Sequence, residues 1–356
     1  MSAPTVYDVA ERSGVSIATV SRVYRTPESV RVQTRERVLA AARELGYVPS
    51  GNARGLASRT TGVLGLCFPD YADPDAETAA AGADADDDHA VMLYSDQIIR
   101  GMERAARRHG YALLIAASLD GGPESLVAKV AGRVDGFAVL AQTVPTSDLD
   151  VISRRLPVVM LAGPRGIDHL DHLVVANADG QRALTRHLVD DHGLRRLAFV
   201  GGDPESPDAE ARFRGFREAC RDAGLTEPAE PDVRTAMMTQ AEGARAAEAL
   251  LDRAQAAGAD HPEAMLFAND QMAVGALQAL AARGLRVPRD IAVTGFDGIP
   301  LGRIVRPTLT TVRQPIRQLG EQAVELLVQR LRDPAGPPVS LELPVSLGLR
   351  ESCGCG

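Results

Sequence analysis

Residues 5–25, TVYDVAERSGVSIATVSRVYR, constrain the fold more than any other stretch of this 356-residue chain. They read as two short helices joined by a tight turn. Thr5 followed three residues later by Asp8 is a helix-start signal, because a hydroxyl can cap free N–H groups and an acid is favourable in the first turn. Val6, Val9 and Ala10 give the first helix an apolar face, and Gly14 ends it. Val15 can turn inward and Ser16 can cap a second helix. In that helix Val20 and Val23 point in, while Ile17, Ala18, Ser21 and Arg22 point out. Two short helices about a glycine turn fit a helix-turn-helix, whose second helix enters the DNA major groove. Any small helical hairpin shares this outline, so the rest of the chain has to support the reading.

The wording of the stretch is more specific than its outline. The pattern T-x-x-D-V-A-x-x-A/S-G-V-S-x-x-T-V-S-R-V is met by Thr5, Asp8, Val9, Ala10, Ser13, Gly14, Val15, Ser16, Thr19, Val20, Ser21, Arg22 and Val23. On these residues the chain closely resembles the bacterial regulators of the lactose-repressor (LacI/GalR) family. A third helix is expected from Thr34 to Leu45, stopped by Gly46, and Tyr47-Val48-Pro49 matches the family's Y-x-P. Arg31 stands where the family usually has a small polar cap, and Ser50 where it has Asn.

Residues 51–58, GNARGLAS, resemble the family's A-R-G-L-A hinge. The segment is short and Gly55 lowers its helix propensity, so alone it reads as a flexible linker. The resemblance implies a hinge helix formed on DNA. Ala53 would contact the DNA and Leu56 would wedge into the minor groove, where extra contact with bent DNA offsets the cost of unstacking.

The net charge of −8 is unevenly divided. Residues 1–60 hold nine arginines against five acids, a net +4, which leaves −12 for the remainder. A basic head on an acidic body is expected when only the head meets phosphate. A hydrophobic fraction of 45% supports real cores, and the length fits a small domain with one or two larger ones. No run is long and apolar enough to span a bilayer, and no charged-then-apolar leader opens the chain. Cys67, Cys220, Cys353 and Cys355 make no disulfide framework. The expectation is a cytoplasmic protein, nucleoid-associated when on its operator, with no membrane partner.

From Gly62 onward short apolar runs alternate with helical patterns. GVLGLCF, YALLIAA, GFAVLAQ, PVVMLAG, RRLAFVGG, EAMLFAND and DIAVTGFD are candidate strands. Helical patterns cover 97–109, 179–191, 212–223, 240–256 and 270–283. This alternation implies parallel sheets covered on both faces. The fold expected is an N-terminal all-α helix-turn-helix head with a hinge helix, then an α/β periplasmic-binding-protein-like core of two doubly wound parallel-sheet subdomains. The resemblance, strongest at AMLFANDQMAVGAL, VPRDIAVTGFD and RPTLTTVRQP, implies three crossings between halves near Val175, Arg313 and Leu343. The boundaries expected are 1–49 for the head, 50–61 for the hinge and 62–356 for the core. Within the core, 62–175 with 314–343 form one subdomain and 176–313 with 344–356 the other. Residues 70–89, rich in Asp and without Lys or Arg, look like an insertion. Its composition is that of a solvated loop, and its place after the first core strand makes it a candidate acidic flap over the cleft.

Outward Ile17, Ala18 and Arg22 are candidate base readers; Arg can bind guanine bidentately, while Ile and Ala offer apolar contact. Thr5, Tyr7, Ser16, Thr19, Ser21, Thr34 and Tyr47 match positions that hold phosphate in the family and would set register. For a small-molecule effector, the resemblance implies Asp70, Arg212, Asn269 and Asp297, with Tyr94 and Asp96 as further candidates. Carboxylate, amide and guanidinium groups at strand ends suit a polyhydroxylated ligand. Asp270 reads as the cap of the following helix. Ala176-Asn177 stands where the family often has D-N before the Asp179-Gly180 turn. With no Trp and 4% aromatics, ring stacking would rest on Phe68, Tyr94 or Phe267. A sugar is the first choice of effector and a nucleobase or nucleoside the second.

Other constellations are weaker. Asp168, His169, Asp171 and His172 lack metal-ligand spacing and read as a solvated loop, and Cys353-Gly354-Cys355 reads as a loose tail. No metal site and no cofactor are called for, and there is no nucleophile elbow, zincin or Walker pattern, so the chain is not expected to be an enzyme. The reading is a ligand-responsive transcriptional regulator, acting as a repressor on a pseudo-palindromic operator as a homodimer. A solute-binding protein on the same core fold, or an activator, is the alternative. No leucine heptad follows Arg350, so a coiled-coil tetramer is not expected.

Overall fold

The computed structural model describes residues 4–48, 60–69, 93–118, 130–141, 143–163 and 169–355. The hinge residues Ala53 and Leu56, the strand-end Asp70 and the acidic segment 70–89 lie outside the described residues. The chain divides into two compact units, residues 1–62 and 63–356.

The head consists of α1 (Val6–Ser13), α2 (Ile17–Arg25) and α3 (Val32–Leu45). Asp8 starts α1 by accepting the Thr5 N–H at 2.6 Å and the Thr5 hydroxyl at 2.7 Å. Gly14 closes it in the left-handed region, φ +65°, which costs a residue without Cβ little. Ser16 Oγ then accepts the Thr19 N–H at 3.2 Å and caps α2. Val9, Val20, Val23, Val38 and Ala42 make the buried centre. The third helix starts two residues before Thr34, and Arg31 precedes it without a side-chain cap.

In the second unit each apolar run becomes a strand. One six-stranded sheet has the order β11-β5-β4-β3-β1-β2. Its members are β1 (Val63–Pro69), β2 (Ala112–Ser118), β3 (Gly136–Leu140), β4 (Val158–Leu161), β5 (Asp171–Val175) and β11 (Ser340–Leu343). All of its pairs are parallel. The other has the order β12-β10-β9-β8-β6-β7. It is built of β6 (Leu197–Gly201), β7 (Val233–Arg234), β8 (Ala264–Phe267), β9 (Ala292–Asp297), β10 (Thr310–Arg313) and β12 (Ser346–Gly348). Here β12 alone pairs antiparallel, on β10. The chain passes from one sheet to the other after Val175, Arg313 and Leu343.

Helices α4 (Leu93–Arg108) and α10 (Ile316–Arg332) pack together on the first sheet, joined by Ile98, Met102, Leu319, Ala323 and Leu327. A shorter helix, α5 (Thr146–Ser153), buries Leu149 on the opposite side with Phe137 and Val139. The second sheet carries α6 (Asn177–Asp190), α7 (Pro207–Asp222), α8 (Gln240–Ala256) and α9 (Asp270–Ala282). Gly180 lets α6 lie close to its sheet: a Cβ there would meet Val312 Cγ1 and Val345 Cγ2 at 2.7 Å.

Four expectations are corrected. Asp171 and His172 are not in a solvated loop; both are buried in β5, where Arg330 Nη2 pairs with Asp171 Oδ1 at 2.6 Å. That distant arginine is what makes a charged residue tolerable inside the sheet. Asp179 and Gly180 lie within α6, not in a turn. The cap of α9 is Asn269, whose Oδ1 accepts the Met272 N–H at 2.9 Å, while Asp270 is wholly buried within the helix. The tail is not loose. Ser352 Oγ donates to Val293 O at 2.6 Å and accepts from Thr310 N at 2.8 Å, and Cys353 is buried.

Candidate functional site

A cavity of about 260 Å³ opens where the ends of both sheets face each other. Leu140 at the end of β3 and Ala162 just past β4 line one side; Asp203 past β6, Asn269 past β8 and Asp297 at the end of β9 line the other. This is the crevice outside the carboxyl ends of parallel strands, where α/β sheets bind ligands. Tyr94, Arg212, Asn269 and Asp297, dispersed in sequence, come together here. Asp96 is exposed in the first turn of α4 and does not line the cavity.

Arg212 organises the polar side. It is buried on α7, not spread on the helix surface. Its Nε donates to Asn177 Oδ1 at 2.8 Å and its Nη1 to Ala268 O at 2.6 Å. Its Cζ sits 4.0 Å above the Phe296 ring, and Asp297 Oδ1 is 3.4 Å from Nη1. These contacts fix the guanidinium plane, and Nη2 is left without a hydrogen bond among the described residues. A planar, pre-set donor pair beside a carboxylate is suited to adjacent ligand oxygens.

Asp297 is held at φ +117°, an uncommon conformation for a residue with a Cβ. Its Oδ1 accepts Gln314 Nε2 at 2.6 Å. Burial pushes its carboxyl up to about 6, against the downward pull of Arg212 and the Gln314 hydrogen bond. Burial and the nearby Asp297 also raise Asp270, whose carboxylate receives Thr311 Oγ1 at 2.5 Å and the Gly298 and Ile299 N–H groups at 2.8 and 2.9 Å. Asp270 therefore fixes the β9 end that presents Asp297. Asn269 uses both ends of its amide, capping α9 and donating Nδ2 to Met238 O at 2.8 Å.

Asp203, Ser206, Asp208, Met238 and Gln271 also line the cavity and escaped the sequence reading. Their signal was position: Asp203, Ser206 and Asp208 follow β6, Met238 follows β7 and Gln271 follows β8, all in loops or helix starts. Phe68 and Phe267 are enclosed in the two cores, so Tyr94 is the aromatic ring at the cavity among the described residues.

On the head, Tyr7, Ser16, Ile17, Ala18 and Arg22 are exposed, and Thr19, Ser21, Thr34 and Tyr47 are half-buried. Ile17 keeps 40% and Tyr7 67% of its surface, large exposures for apolar bodies in a folded unit. Ser16 and Thr19 hydroxyls are 2.9 Å apart in the α2 cap, and Thr5 gives its donors to Asp8. Arg22 makes no ion pair among the described residues, leaving its fork open.

Residues 5–50 match the family described as bacterial regulatory proteins, lacI family, and residues 185–353 match the periplasmic binding protein-like domain. The HTH-type transcriptional repressor PurR of Pasteurella multocida is 30% identical over 98% of both chains. The chain belongs to the LacI family. The ribose operon repressor of Halalkalibacterium halodurans is likewise 30% identical, covering 98% of this chain and 96% of its own. The lac repressor dimer bound to operator and the anti-inducer ONPF superposes with a TM-score of 0.79 at 28% identity, over 99% of each chain. As a LacI-family protein the chain is a ligand-responsive, DNA-binding transcriptional regulator with a small-molecule effector, not an enzyme. Among its described residues no helix is long and apolar enough to cross a membrane.

Proposed function

We propose that this regulator is a cytoplasmic repressor that binds a pseudo-palindromic operator as a homodimer and responds to a sugar or sugar derivative. The observation that carries the sugar reading is the open Nη2 of Arg212 at the cavity beside Asp297 and Asn269. A guanidinium, a carboxylate and an amide in one small cavity can meet neighbouring hydroxyls with donors and acceptors of both kinds. That one relative is a ribose operon repressor supports the same class. A nucleobase or nucleoside is the second reading, favoured by the Tyr94 ring at the cavity.

In this reading Ile17, Ala18 and Arg22 read base edges, and Thr5, Tyr7, Ser16, Thr19, Ser21, Thr34 and Tyr47 set register on phosphate. Ala53 contacts the DNA and Leu56 acts at the minor groove in the centre of the site. The effector shifts the core between conformations of unequal operator affinity. A thermal-shift panel of pentoses, hexoses, nucleosides and bases on the full chain tests the ligand class. A sugar should raise Tm, and Asp297→Ala should abolish the rise; a rise with nucleobases alone overturns the sugar. Operator binding with and without that sugar then distinguishes an inducer from a corepressor.

A further inference from the structure

Two imidazoles and two thiols, none of which lines the cavity, converge in the second sheet's half of the core. His187 lies in the last turn of α6, His192 just past that helix, and Cys353 and Cys355 flank Gly354. Their four ligand atoms all lie within 4.8 Å of one another. The two Nε2 atoms are 3.1 Å apart. Cys355 Sγ is 3.4 Å from His187 Nε2 and 3.3 Å from His192 Nε2, and Cys353 Sγ is 3.7 Å from His187 Nε2. Tetrahedral zinc, with ordinary Zn–S and Zn–N bonds, sets its ligand atoms about 3.3 Å apart for N and N and about 3.5 Å for S and N.

We propose that His187, His192, Cys353 and Cys355 form a tetrahedral zinc site that fastens the C-terminal tail to the end of α6. Two thiolates neutralise the ion's double charge, and two imidazoles complete its four positions, so the site is closed and structural. Thiolate with imidazole selects zinc over magnesium or calcium, which take oxygen ligands. The surroundings fit a ligand role for His187. Its Nδ1 faces Asp191 Oδ2 at 2.6 Å, an arrangement that keeps the proton on Nδ1 and turns the Nε2 lone pair inward. Gly354, at φ +100°, turns the chain sharply enough for both cysteines to face the same point. The tail is positioned independently of the four ligands, by Ser352 between Val293 and Thr310. The site is therefore preformed by the fold.

The test uses the untagged full-length protein, purified with reductant and without chelator. Expected is one zinc per chain, a lower Tm after stripping with chelator, and recovery with Zn2+. Reconstitution with Co2+ should give the intense visible bands of a tetrahedral ion with thiolate-to-metal charge transfer. Cys355→Ser, at a half-buried tail position, should weaken zinc binding at least about tenfold and remove part of the charge-transfer band. Asp191→Asn should weaken it about tenfold while keeping the tetrahedral spectrum. Sub-stoichiometric uptake with excess Zn2+, an octahedral Co2+ spectrum, or a Cys355→Ser variant that binds zinc as the parent does would each overturn the site.

Discussion

Arg212 Nη1 stands 3.4 Å from Asp297 Oδ1, with both side chains nearly sealed from solvent at 4% and 9% exposure. The pair joins α7 to the end of β9 at the cavity wall, and Asn177 at the start of α6 holds the arginine from behind. Three elements of one half of the core are thus tied together at the cavity wall.

Arg212→Ala should remove the effector's thermal shift and also destabilise the protein by about 3–5 kcal/mol, because Asp297 would be left as an uncompensated buried charge. Chemical denaturation and the sugar-induced Tm change measure the two effects. Wild-type stability in this variant would show that the pair adds nothing to the fold.

The raised carboxyl of Asp297, about 6, sets a pH dependence. A folded-state value above the unfolded one means the proton favours the folded chain. This contribution is full below the ordinary value of 3.8 and fades as pH rises through about 6. Asp270 is shifted the same way and adds to the slope. Urea denaturation from pH 4.5 to 7 should therefore show a shallower fall in Asp297→Asn than in the wild type, once other carboxylates are subtracted by that comparison. Sugar affinity should move the other way, weakening below about pH 6, because the ionised carboxylate is the better acceptor for ligand hydroxyls.

Replacing Arg22 by Ala should cost about 1–3 kcal/mol of operator affinity and relax the preference at one base pair per half-site. Gel-shift titration against single-substitution operators reads this out. An equal loss on every sequence would reassign Arg22 to phosphate.

Gly180→Ala should push α6 off its sheet, since the new methyl would meet two stiff valines at 2.7 Å. The cost is about 1–3 kcal/mol of stability. Because α6 begins with Asn177, the support of Arg212, effector affinity should drop as well. Calorimetry on the purified variant gives both numbers, and an unchanged affinity would separate the helix from the ligand site.

Much of this protein was legible locally. The caps at Thr5, Asp8 and Ser16, the glycine turn and the inward valines all act within a few residues, so sequence alone determined the helix-turn-helix. The apolar runs that became β1, β3, β6 and β8 were equally plain, because a strand buried on both faces reads as a near-continuous apolar run. β5 was hidden, since its Asp171 is made tolerable by Arg330, which sits 159 positions away. Tertiary structure alone decided which residues meet. It set Arg212 among Asn177, Ala268 and Asp297, withdrew Phe68 and Phe267 into the cores, and brought Cys353 and Cys355 against His187 and His192. Helix and strand periods are written in neighbouring residues, whereas a cavity or a ligand cluster exists only after sheets and helices have packed across long separations of chain.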